Sequence, residues 1–167
     1  MAELFNPEGV EYRPVSPKLT SLRMLSETIS LLVTLVIIGV IWFFIWGPWT
    51  FWQFFMLGLA ILSLVIYVWR LWLIPRQVRA MGYYEGEKEL YIRTGIMFRN
   101  MTVVPYGRMQ YVDMEQGPFQ RWFGLATVEL HTASASSDAS IPGLPQSEAD
   151  RLRETLSARG ESLMAGI

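Results

Sequence analysis

The chain opens on two long apolar runs and then changes period. From Thr28 to Trp46 it reads TISLLVTLVIIGVIWFFIW, without a single charge. At about 1.5 Å of rise per residue this run spans roughly 28 Å as a helix, close to the hydrocarbon thickness of a bilayer. A second run, from Trp49 to Ile74, reads WTFWQFFMLGLAILSLVIYVWRLWLI and is long enough to cross with some tilt. Only Gly47 and Pro48 lie clearly between the runs, so the pattern predicts an antiparallel helical hairpin. A signal peptide would have a shorter apolar core, an earlier start and small residues before its cleavage site. A buried soluble pair would need more chain to cover it than remains here.

After Pro75 the apolar positions alternate and turn residues punctuate them, which predicts strands. Gln77–Glu85 reads as a first strand, ended by Gly86-Glu87-Lys88, and Glu89–Thr94 as a second, with Leu90 and Ile92 on one face. Gly95 turns the chain into Ile96–Val104, which stops at Pro105-Tyr106-Gly107. Met109–Glu115 follows, and Gly117-Pro118 opens a short turn or helix, PFQRWFG. Ala126–Thr132 alternates with Ala126, Val128 and Leu130 inward and Thr127, Glu129 and His131 outward. ASASSDA is a polar hairpin loop, Ser140-Ile141-Pro142 a short last strand, and Gln146–Arg159 has a helical period with Ala149, Leu152 and Leu156 on one face. The expected fold is a membrane α-helical hairpin followed by a mostly β domain, two antiparallel sheets or a partly open barrel, with a C-terminal helix. The expected segments are an N-terminal arm at 1–27, the hairpin at 28–75, the β domain at 76–160 and a tail at 161–167.

Charge orients the hairpin. Arg13, Lys18 and Arg23 precede the first run, Arg76, Arg79 and Lys88 follow the second, and the turn between has no Lys or Arg. The positive-inside rule places both termini in the cytoplasm. Of seven Trp, all but Trp122 lie between positions 42 and 72. Trp42, Trp46, Trp49 and Trp52 suit an outer interfacial belt, and Trp69, Trp72 and Tyr67 an inner one. Arg70 lies inside the second run near its inner end, and is expected to snorkel to the inner headgroups rather than to mark a charged pathway. Gly39 and Gly58 offer sites for close helix approach. In the arm, Ser16-Pro17 is a suitable N-cap and N1 pair. The first helix is expected to begin there, with Leu19, Leu22 and Leu25 resting on the inner membrane surface and a mobile strap before it.

Two stretches carry a resemblance. YIRTGIMFRNMTVVPYGRMQYVDMEQGPFQRWFGLATVELHTA and, beyond it, IPGLPQSEADRLRETL are similar to the bacterial PH-like domain of the second type, over roughly residues 77–158. The shared features are the Gly-containing turn, the strand ending in Val-Pro, the long central stretch and the IPGLP step into the last helix. Two preceding spans match the architecture of its shorter members. The resemblance implies two orthogonal antiparallel sheets with a helix plugging one end, in a bacterial inner membrane. It implies no catalytic residues. It also implies a loose association with membrane stress, antimicrobial-peptide resistance and oligomeric scaffolding, by analogy, since fold does not fix function.

Composition narrows the chemistry. There is no Cys, so disulfides, thiolate metal sites and cysteine nucleophiles are excluded, and there is one His. The net charge of −1 marks no nucleic-acid binder. His131 and Glu129 share a strand face without further ligands at metal-binding spacing, and Asp113 with Glu115 reads as a solvated strand face rather than a catalytic carboxylate pair. No phosphate loop, nucleophile elbow or H-E-x-x-H is present. The chain is expected to be non-catalytic, without cofactor or metal.

Two surfaces remain. From Arg76 onward, ten Lys/Arg stand against eleven Asp/Glu, without the local basic cluster of a headgroup sensor. The candidate headgroup contacts are Arg70, Arg76, Arg79 and Arg108. Arg93, Arg99, Arg108 and Arg121 are scattered along the domain. The candidate partner surface is QGPFQRWFG, with Phe119, Arg121, Trp122 and Phe123. Its rings either plug the barrel end, the leading expectation, or protrude toward a partner or the bilayer as interface anchors do. The expected partners are membrane lipids and either further copies of the chain or other membrane proteins. The expected function is a membrane-anchored module acting through protein association, as homo-oligomeric scaffold or accessory subunit. The alternative is a lipid- or antimicrobial-peptide-responsive protein protecting the membrane.

Overall fold

The computed structural model describes residues 11–44, 51–133 and 138–165, with side chains described up to residue 162. The expected Gly47-Pro48 turn, Trp46 and Trp49 of the outer belt, the NPEG segment of the arm, most of the ASASSDA loop and the last residues lie outside these. The chain divides into two compact units, Thr20–Pro75, and Met1–Leu19 together with Arg76–Ile167.

In the first unit lie most of α1 (Lys18–Phe44) and α2 (Phe51–Ala80). Ser16 caps α1 as anticipated, its hydroxyl accepting from the Lys18 N–H at 3.3 Å. Both helices are long and apolar enough to cross a membrane, with mean hydropathies of 2.3 and 2.1 over their most apolar windows. Only 6% and 0% of those windows are buried by protein, so neither is the core helix of a soluble fold. Glu27 pairs with Arg70 and Thr28 with Tyr67, and this descending register is that of an antiparallel pair. Gly39 and Gly58 are not points of close approach: a Cβ on either would meet nothing within 4 Å.

The helix α2 continues through Pro75 to Ala80, where the alternation had predicted a strand from Gln77. Ile74 and Val78, four residues apart, are both buried, which is a helical face; the apparent alternation was the other half of the same turn.

The second unit holds two antiparallel sheets and a helix. The four-stranded sheet has the order β1 (Arg13–Pro14), β2 (Gly82–Glu85), β3 (Glu89–Thr94), β4 (Asn100–Pro105). The three-stranded sheet has the order β5 (Met109–Glu115), β6 (Leu125–Thr132), β7 (Ala139–Pro145), with the six-residue helix α3 (Pro118–Phe123) between β5 and β6. The helix α4 (Gln146–Ala165) follows. Leu90, Val104, Leu125, Val128, Leu130, Ile141 and Leu144 bury their side chains from the sheets. Ala149, Leu152 and Leu156 close over them from α4 with no exposed surface. Burying one such leucine contributes about 1.5–3 kcal/mol.

The segment before α1 belongs to this domain. Arg13 and Pro14, expected in a mobile strap, pair with Tyr83 and Gly82 as an edge strand. The Ser16 N–H then donates to the Gly143 carbonyl at 3.0 Å. Leu19, expected on the membrane surface, is 2% exposed. A Cβ on Gly143 would lie 2.6 Å from the Leu19 Cδ2 atom, so only glycine admits this leucine.

Candidate interaction surface

The helix α3 is held by hydrogen bonds rather than by burial. Pro118 occupies its first turn, where a missing N–H costs nothing. The Gln120 side chain accepts from the Gly117 N–H at 3.0 Å and donates to the Thr127 hydroxyl at 3.0 Å. Gln116 donates to the Leu125 carbonyl at 2.8 Å. At the other end Gly124 is left-handed, with φ 65°, and its N–H returns to the Arg121 carbonyl at 3.1 Å.

No residue of α3 is buried. Trp122 is 81% exposed and Phe119 46%, Arg121 points to solvent, and Phe123 is half-buried. The rings therefore do not plug a barrel end, because sheet residues and α4 already fill the core. What results is a short pinned platform carrying an indole, a phenyl ring and a guanidinium. A tryptophan buries about 150–250 Å² on being covered, and at about 25 cal/mol/Å² that is a driving force of several kcal/mol.

Three of the four candidate headgroup arginines, Arg70, Arg76 and Arg79, stand on α2, and Arg108 stands on another element. Arg76 and Arg79 are exposed, three residues apart on the last turns of α2, and Arg108 is exposed in the 3-10 turn Tyr106–Arg108 that links β4 to β5. Arg70 is not simply snorkelling. Its Nη1 donates to both carboxylate oxygens of Glu27, at 2.7 and 2.9 Å. Glu27 was not singled out by sequence, although it is the last charge before the uncharged run.

Also unforeseen is an ion-pair network that ties β1, β2 and α4 together. Arg151 donates to Glu85 and to Glu148, the latter at 2.8 Å, and Arg13 reaches both carboxylates at 3.4 Å. The Tyr83 hydroxyl donates to Glu148 at 2.6 Å. The Arg151 bond, with Tyr83 and Arg13 adding to it, holds the Glu148 carboxyl down at about 2, and Arg151 itself is shifted up by the same bond. Burial, reinforced by Glu148, pushes Tyr83 up to about 12. The only signal for this network in the sequence is the three-residue spacing of Glu148 and Arg151 on a helix.

His131 stacks on Tyr111 with ring centroids 4.4 Å apart, and its Nδ1 lies 3.2 Å from Asp138. Asp138 is held below the usual carboxylate range first by the Thr132 N–H. Asp113 stands opposite Glu129, and Glu115 opposite Thr127. Among the described residues no group of three His, Cys, Asp or Glu is placed to hold a metal.

Two apolar helices followed by two antiparallel sheets and a closing helix define a transmembrane protein with a PH-like domain. The model of the bacterial PH domain family matches residues 17–160, and the chain belongs to that family. It is 34% identical over 137 residues to the UPF0699 transmembrane protein YdbS of Bacillus subtilis (strain 168), a match covering 81% of this chain and 83% of that protein. No solved structure matches significantly. Neither match names an enzyme family.

Proposed function

We propose that this chain is a non-catalytic membrane-anchored module that works by associating with other proteins, as a homo-oligomeric scaffold or as accessory subunit of an assembly in the bacterial cytoplasmic membrane. Both termini lie on the cytoplasmic side in this reading, on the distribution of Lys and Arg around the two runs. The observation that carries it is the α3 platform. An 81% exposed tryptophan beside an exposed arginine and a half-exposed phenylalanine, on a helix pinned at both ends, has the composition and low ordering cost of an interface anchor. The near balance of charge in the domain supports the same reading, since nothing draws it to one class of charged ligand.

The test is purification of tagged protein from its native membrane in mild detergent, with native mass spectrometry of wild type and Trp122→Ala. A defined oligomer or stoichiometric partner, lost in the variant, is the expected result. A monomer carrying only lipid overturns the association reading and favours the lipid- or peptide-responsive one.

A further inference from the structure

The hairpin holds a polar cleft at one end of its two apolar runs. A cavity of about 170 Å³ opens between them, lined by Glu27, Ser30, Thr34, Ser63, Tyr67 and Arg70 with two aliphatic residues. Six polar side chains facing one gap at the inner end of two spans are costly in a bilayer unless something satisfies them.

The hydrogen bonds show what is left to satisfy. The Arg70 Nη1 is committed to Glu27, whereas Nη2 and Nε have no acceptor among the described residues. The Thr28 hydroxyl donates to the Met24 carbonyl at 2.8 Å, so the contact of 2.9 Å between Thr28 and Tyr67 is donated by Tyr67, whose oxygen keeps lone pairs free. Thr34 and Ser63 likewise donate to the carbonyls of Ser30 and Ala60, leaving acceptors only. The cleft thus offers charged spare donors at one point, Arg70, a neutral hydroxyl at Ser30, and acceptors around them: the Glu27 carboxylate and the oxygens of Tyr67, Thr34 and Ser63. Its formal charge is zero.

We propose that this cleft binds the headgroup of a zwitterionic phospholipid bearing a primary ammonium, the phosphodiester on Arg70 and the ammonium on Glu27 and the neighbouring hydroxyl oxygens. Three features select that chemistry. Guanidinium donors suit phosphate oxygens. An ammonium has three N–H donors for a site rich in acceptors, whereas a trimethylated head has none. A neutral site with a carboxylate at its centre disfavours a headgroup of net negative charge. The volume equals roughly five or six waters, enough for a headgroup, with the acyl chains along the exposed apolar faces outside. Glu27 and Arg70 sit at the ends of the apolar runs that the orientation proposed above places on the cytoplasmic side, at headgroup depth. The site lies wholly in the hairpin and does not depend on the association reading.

The test is native mass spectrometry of delipidated full-length protein in detergent, titrated with phosphatidylethanolamine, its N-methylated series, phosphatidylcholine and phosphatidylglycerol of matched chains. Glycerophosphoethanolamine distinguishes a lipid from a free phosphodiester. We expect phosphatidylethanolamine to be retained about tenfold better than phosphatidylcholine or phosphatidylglycerol, with a stepwise fall on N-methylation. Glu27→Gln should abolish the discrimination between the ethanolamine and choline lipids, and Arg70→Ala should weaken both. Equal retention of the three lipids by wild type, or preference for phosphatidylglycerol, overturns the proposal, as does full retention by both variants. Tighter binding of the soluble headgroup than of the lipid also overturns it. The wild-type methylation series decides the matter even if a variant fails to fold.

Discussion

The Tyr83 hydroxyl donates to Glu148 at 2.6 Å, and this one contact joins a strand of the four-stranded sheet to the closing helix. Around it Arg13 and Arg151 complete a clasp on Glu148 and Glu85, so edge strand, sheet and helix are secured at one place.

The clasp makes the domain sensitive to acid. The Glu148 carboxyl is lowered from 4.5 to about 2 on folding. Its contribution is therefore fully present above pH 4.5 and is lost as pH falls from there to about 2. Thermal melts of the purified protein across that window should show a decline that Glu148→Gln flattens. Equal slopes for the two proteins would count against the clasp.

Replacing Tyr83 by Phe removes the donor and keeps the ring. A hydrogen bond to a charged acceptor contributes about 1.5–3 kcal/mol, so Tyr83→Phe should lower denaturant stability by up to that amount at pH 7. The loss should shrink in the Glu148→Gln background, which a double-mutant cycle would read directly.

Gly143 should tolerate no side chain. Its φ of 74° is left-handed, and an added Cβ would collide with Leu19. The backbone conformation alone costs an alanine roughly 1–2 kcal/mol. Gly143→Ala should thus destabilise by more than that, and Leu19→Gly in the same chain, which removes the Cβ lying 2.8 Å from the added atom as well as both Cδ atoms, should relieve the collision without removing the backbone strain. Chemical denaturation of single and double variants separates the two.

Trp122 and Leu125 are three residues apart and should behave oppositely. Trp122 is 81% exposed, so Trp122→Ala should change stability by no more than about 0.5 kcal/mol while weakening association. Leu125 has no exposed surface, and Leu125→Ala should cost about 2–5 kcal/mol. A large loss of stability in Trp122→Ala would return the ring to a structural role.

In the hairpin, Glu27→Leu should destabilise more than the double variant Glu27→Leu with Arg70→Leu. The single change strands a charge at the edge of the hydrocarbon, and the double change removes both. Scanning calorimetry in detergent would rank them.

Much of the domain could be read from the chain before any coordinates. The strands Glu89–Thr94 and Met109–Glu115 lie where the alternation put them, and the inward set Ala126, Val128 and Leu130 is buried. A side chain whose neighbours two positions away share its burial leaves a period in one dimension. The errors fall where two periods overlap or where a partner is remote. Gln77–Ala80 is helix rather than strand, and so few residues at a helix end fit either period. Arg13 and Pro14 read locally as a strap because nothing near them in the chain shows that they pair with Gly82 and Tyr83.

The candidate sites divide in the same way. QGPFQRWFG was recognisable as unusual from its composition, but exposure of Trp122 depends on what else fills the core, and that is a property of all the elements together. Arg70 was visible as a charge within an apolar run, whereas its pairing with Glu27, 43 positions away, needed the antiparallel register of two helices.

By itself the sequence determined the two apolar helices, the period of most strands and the lack of thiol chemistry, because these depend on residue type and near-neighbour spacing, while its PH-like class was legible only through resemblance to a known family. Tertiary structure alone decided that the segment before the first helix is a strand of the domain, that α3 stands outside the core, and that charges distant in the chain meet as the clasp and the hairpin pair. Each of those is a contact between remote positions, chosen by the packing of the whole chain and written in no local pattern.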